Sequence, residues 1–184
     1  METRHRHFLS SLVPALASML WLTATPSHAQ TLWKDTQAGA SLRTIQQQFS
    51  GAAHPTSPTM LADGSRELLR LPNTPAQGHA FDALFFFKQD RLTQVSLELQ
   101  EKGGAVFALQ TFRDLKSAFD AKYGAPDDEQ DQTFDTATGT ATFRSASWRS
   151  GRTLITLSYA TAAGKLVVLN VAYRLAAERK TDDI

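Results

Sequence analysis

The chain has 184 residues, with 19 Lys and Arg against 18 Asp and Glu, and it has no cysteine. The near balance of charge gives no global cationic pull toward nucleic acid. The missing thiols exclude disulfides, a Cys/His zinc site and a lipid-modified cysteine.

Arg4 and Arg6, an apolar stretch from Phe8 to Leu22, and Ser27-His28-Ala29 together predict a secretory signal over residues 1–29, cleaved after Ala29. Pro14, Ser10, Ser11 and Ser18 interrupt the apolar stretch. It falls short of a comfortable span of about 20 residues, so the expected product is exported, not membrane-spanning. The compartment this implies is the periplasm of a Gram-negative bacterium. Cleavage removes Arg4, Arg6 and Glu2 and leaves a formally neutral chain that keeps His54 and His79 alone of its histidines. At about 155 residues it can bury roughly 70% of its unfolded surface, so a core can hold it without disulfides.

Thr31 to Ala38 is a short entry strand or loop that carries Trp33. Ser41 is placed to cap a helix on which Leu42, Ile45 and Phe49 share one face, with Gly51 and Pro55 ending it. A strand over 66–71 is expected to stop at Pro72, which cannot donate to a ladder. Phe81 to Phe87 reads as an aromatic-rich strand, turned by Lys88-Gln89-Asp90 into Leu92 to Leu99. There Thr93, Val95, Leu97 and Leu99 alternate with Gln94, Ser96 and Glu98, as in a half-buried antiparallel sheet. Leu84 and Phe86 put apolar surface on the second face, to be covered by the other half or used for docking.

After Gly103-Gly104 a second helix over 105–122 presents Leu109, Phe112, Leu115, Phe119 and Tyr123 to the core and ends at Gly124 and Pro126. Asp127 to Asp131 reads as an exposed acidic loop. Strands over 140–148, 153–159 and 166–173 follow, and 175–184 is a polar tail. The two halves align at near-constant offsets: Phe85 with Leu157, Phe87 with Tyr159, Val95 with Leu169, Leu97 with Val171 and Leu99 with Tyr173. The expected fold class is therefore α+β, as two tandem helix-plus-antiparallel-β-meander units, 30–102 and 103–174, packed together or sharing one sheet.

Motifs for chemistry are sparse. His54 and His79 stand without a G-x-S-x-G, S-x-x-K or H-E-x-x-H pattern, so no catalytic residue is assigned. Asp127, Asp128, Glu129 and Asp131 lack the spacing of a calcium loop; they are a solvated stretch or a contact for a basic partner. Arg144, Arg149 and Arg152 with Trp148 form an arginine–aromatic group of the kind found at interaction hot spots, unless Trp148 packs in the core. No metal site or cofactor is predicted.

Gly39-Ala40-Ser41-Leu42 leading the first helix, Lys122-Tyr123-Gly124-Ala125-Pro126 ending the second, and the strands of Trp148, Tyr159 and Tyr173 resemble the β-lactamase inhibitor protein family and the small outer-membrane-assembly lipoproteins. The resemblance covers most of 33–174 and implies the fold and a binding role, but no site residues. The chain lacks that group's cysteines, lipid anchor and inhibitory loop. The expected function is a periplasmic, non-enzymatic binding module for a protein or cell-envelope component, with Trp148, Arg144, Arg149, Arg152, Asp127 and Asp128 as candidate contacts. The alternatives are a hydrolase working through carboxylates such as Asp82 and Asp135, and a purely structural envelope protein. Two convergent carboxylates in a compact pocket would mark the enzyme; a broad open sheet face would mark the binder.

Overall fold

The computed structural model describes residues 30–100 and 103–177. The expected signal over 1–29 and most of the expected tail lie outside the described residues. The protein is α+β, and its described residues form seven antiparallel strands in one open sheet and two helices. Helix α1 (Leu42–Gln48) precedes β1 (Arg66–Ala76), β2 (His79–Lys88) and β3 (Arg91–Leu99). Helix α2 (Gly104–Tyr123) precedes β4 (Asp128–Thr136), β5 (Gly139–Ser150), β6 (Thr153–Ala162) and β7 (Lys165–Leu175). The order across the sheet is β1-β2-β3-β7-β6-β5-β4, so the last strand closes against the third.

The period of two sorts the side chains of each strand onto two faces, and the register joins those faces across the sheet. One row runs Leu69, Phe85, Val95, Tyr173, Ile155, Trp148. The next runs Leu71, Ala83, Leu97, Val171, Leu157, Ala146. With Ile45 and Phe49 of the α1 segment and Phe112 and Leu115 of α2, these rows make one continuous core. Trp33 stacks on Phe49 and meets the edge of Phe85, which ties the entry segment to that core.

Ser41 caps α1 as expected, accepting the Thr44 N–H at 3.2 Å. The helix ends at Phe49, whose N–H donates to the Ile45 carbonyl, and not at Gly51. Gly124 ends α2 at φ 87°, a left-handed value that a side chain would strain.

Three expectations are corrected. Strand β1 runs through Pro72 to Ala76. It is an edge strand, and its register shifts between Leu71 and Thr74, where an irregular ladder tolerates the missing donor. The acidic stretch is no loop: Asp128 onward forms β4, paired residue for residue with β5 and exposed along its whole length. Its strand state comes from backbone pairing, not apolar alternation, and its charges suit an edge that must not recruit other chains. Leu84 and Phe86 are buried, but not by the second half. Both helices pack on the opposite face. This corner is bounded by Arg70 and Glu67, their partners in β1, and by residues 53–65, which bridge to β1 at Ala53–Arg70 and Met60–Arg66.

Candidate functional site

Strand β5 sends alternate residues to opposite faces, and this decides the fate of the candidate contacts. Trp148 points into the core and is 1% exposed. Its indole N–H donates to the Gly124 carbonyl at 3.1 Å, and its ring meets the edge of Phe119 at 5.3 Å. It pins the end of α2 to the sheet and offers no surface to a partner, so its place among the contacts is corrected to the core. Arg144 lies directly across from Asp131 and donates to it at 3.1 Å. Arg149 stands on the other face, 3.7 Å from Asp127. Lys116 of α2 bridges Asp120 at 3.0 Å and Glu129 at 3.3 Å, bonds that hold its pKa above the usual lysine value. Asp128 accepts from the Gln130 side-chain amide at 3.4 Å. Arg152 occupies the turn between β5 and β6 and takes part in the fold's contacts. The acidic stretch and the arginine group thus largely satisfy each other. Sequence read them as separate surfaces because it could not see that one strand pairs with the other.

The carboxylates proposed for catalysis do not converge. Asp82 sits on β2, near Arg70 and accepting the Asn73 N–H at 3.3 Å. Asp135 sits on exposed β4, accepting from the Thr140 hydroxyl. Five inter-strand steps separate their strands, roughly 24 Å. His54 Nδ1 contacts the Leu68 carbonyl at 2.8 Å, and His79 opens β2 with its ring against Phe107. The expectation of two solvated loop histidines holds for His54, an exposed loop residue, and is corrected for His79, a half-buried strand residue; neither ring faces a nucleophile in these contacts. Among the described residues no group of His, Asp and Glu is arranged to hold a metal ion.

Glu67 is the most deeply buried acid among the described residues. Arg70 Nε and Nη2 donate to its two oxygens at 2.7 and 3.0 Å, and the Thr59 N–H adds a third bond at 3.0 Å. The Glu67 carboxylate raises the pKa of Arg70 in turn. The two-pronged pair lies within β1, and the Thr59 bond to it ties residues 53–65 to that strand, a structural role.

The face of the sheet away from the helices is of a different kind. Across β3, β7, β6 and β5 one row reads Ser96, Ala172, Thr156, Ser147, and the next Glu98, Asn170, Ser158, Ser145. A third row, at one end, reads Gln94, Arg174, Leu154, Arg149. At that end residues 61–63 fold toward the sheet and leave a cleft of about 650 Å³. Arg91, Arg174, Leu92 and Leu175 line it from the sheet side, with Leu61 and Asp63 opposite. Both Asp63 oxygens accept from Ser65, at 2.9 Å from its N–H and 3.1 Å from its hydroxyl; the N–H chiefly holds the Asp63 pKa below the usual value. Arg91 donates to the Gly39 carbonyl at 3.2 Å.

A second cleft, of about 480 Å³, lies at the entry segment among Trp33, Tyr123 and Tyr173. Lys34 and Lys122 sit over the rings of Trp33 and Tyr123. Burial pushes the Tyr173 phenol well above its ordinary pKa, so it stays neutral.

Sequence reasoning missed Arg91, Arg174 and Asp63. A partial signal was present: Asn170, Ala172 and Arg174 alternate with Leu169, Val171 and Tyr173, which places Arg174 on the helix-free face. Nothing local, however, brings residues 61–63 to it. Comparison of the chain with protein-family models, curated proteins and solved structures finds no match.

Proposed function

We propose that this protein is an exported, non-enzymatic binding module of the cell envelope, presenting the helix-free face of its sheet to a protein or envelope partner. The observation that carries the reading is the chemistry of that face. Apart from Glu98 on β3, its central rows are Ser, Thr, Ala and Asn, where a merely solvated sheet face commonly carries long charged side chains. Short side chains leave a flat surface that loses little rotamer entropy when covered. The separation of Asp82 from Asp135 supports binding over a two-carboxylate hydrolase. The antiparallel meeting of β3 with β7 supports the duplicated-unit reading, with β4 as an addition to the second unit.

Export is part of the proposal. Leu32 and Trp33 are already core residues, and the Gln30 carbonyl accepts the Ala38 N–H at 2.9 Å. A cut after Ala29 spares these contacts, whereas one a few residues later would remove part of the core.

The test is a photo-crosslinking residue placed at Thr156 or Ser158, with Ser117 on the exposed side of α2 as control, in cells that export the protein. Discrete adducts from the two sheet positions and none from Ser117 are expected. Adducts of equal yield from Ser117, or none from the sheet face, overturn the reading.

A further inference from the structure

We propose that the cleft between residues 61–63 and the ends of β3 and β7 is a small-molecule site for an organic anion, a carboxylate or phosphate monoester with an apolar body. Its volume, about 650 Å³, falls in the range of ligand sites, which run from about 300 to 1,000 Å³. Its charge is unbalanced. Two guanidinium groups, Arg91 and Arg174, face one carboxylate, Asp63, and that carboxylate is engaged at both oxygens by Ser65.

Some cations elsewhere are paired, Arg70 with Glu67, Lys116 with Asp120 and Glu129, Arg144 with Asp131, Arg149 with Asp127, while the exposed Arg43, Arg66, Arg113 and Lys165 make no ion pair among the described residues. Arg174 belongs with this second group, and of that group it is the one that lines the cleft. It makes no hydrogen bond or ion pair among the described residues, although it extends from a strand at the centre of the sheet. Arg91 spends a single contact on the Gly39 carbonyl, which orients its fork and leaves its other donors available. A guanidinium takes a carboxylate or phosphate through two parallel N–H bonds. Two such forks around one cleft give the anion its recognition, and Leu61 and Leu175 give its carbon body an apolar bed.

The inference goes beyond the docking of a partner on the sheet face and stands or falls separately. Its test is calorimetric titration of the mature chain with octanoate and with octyl phosphate, which distinguishes carboxylate from phosphate, and with octanol and octylammonium as neutral and cationic controls. Backbone amide shifts map the site. At least one anion is expected to bind, with shifts confined to 61–63, 91–94 and 174–175, and at least about tenfold more tightly than octanol. R174Q, at an exposed position whose loss the fold tolerates, is expected to weaken the anion by about tenfold. R174K keeps the charge without the fork and should fall between the two. No binding of either anion at millimolar concentration, octanol binding as tightly as the anions, or R174Q binding like the wild type overturns the proposal. Anion binding without crosslinks at Thr156 and Ser158 refutes the docking face alone.

Discussion

Replacing Arg70 by Met is expected to destabilise the protein by about 2–3 kcal/mol without touching the cleft at Arg91 and Arg174. The Glu67 side chain is 0% exposed and holds three hydrogen bonds, two of them from Arg70. Removing one partner of a buried pair costs about 3–5 kcal/mol, because the remaining charge stays in low dielectric with its bonds unmade. Two features lower the figure here. The Arg70 side chain is 31% exposed, so water can enter the space it leaves, and the Thr59 N–H still serves one carboxylate oxygen. A loss of 2–3 kcal/mol corresponds to a fall of about 5–10 °C in Tm for a domain of this size. The assay is urea denaturation at pH 7 followed by circular dichroism, comparing the wild type, R70M and the double variant E67Q/R70M. Neutralising Glu67 removes the stranded charge, so the double variant should recover at least about 1 kcal/mol over R70M. The reasoning fails if R70M stays within about 0.5 kcal/mol of wild type, or if the double variant is no more stable than R70M.

W148F removes the bond to the Gly124 carbonyl and part of the ring bulk under α2, and should cost about 1–3 kcal/mol in the same denaturation assay. R149Q, which alters only a 3.7 Å pair between two exposed side chains, should change stability by less than about 0.5 kcal/mol; the reverse ranking would return Trp148 to the surface. Asp63 should titrate below the ordinary aspartate value in a carboxyl-detected NMR titration. Because its folded pKa is depressed, its contribution to stability is present above the unfolded value, near 3.9, and is lost as pH falls through the folded one. S65A removes the hydroxyl donor and keeps the stronger N–H donor, so the midpoint should move part of the way up; an unmoved midpoint would contradict the assigned cause.

The parts of the fold legible in sequence were those with a local signature. Ser41 before a 3-then-4 apolar spacing marked α1, and the Leu109-to-Tyr123 stripe before Gly124 marked α2. Alternation in Val95-Leu97 and Val171-Tyr173 marked the strands that now sit side by side. Strand β4 carried no such signature, since DEQDQTFDT alternates nothing; its strand state is imposed by the ladder to β5. Pro72 misled because a rule for paired strands does not bind an edge strand with a broken register. For the candidate contacts, composition identified charged residues correctly but could not tell an unsatisfied arginine from one whose acid lies across a strand.

The sequence by itself determined that the chain lacks thiol chemistry, that two amphipathic helices and a set of alternating strands must share an apolar core, and that the last strand shows polar residues on its second face. These follow from covalent identity and from periods of 3.6 and 2, which act within a few residues. Only the tertiary structure decided that β7 closes on β3, that the acids of 127–131 neutralise the arginines of β5, and that Trp148 is core. It alone brought Asp63, Arg91 and Arg174 around one cleft. Charge pairing and cleft formation depend on distances between segments far apart in the chain. Those distances are set by the order in which strands pair, and the local pattern does not encode that order.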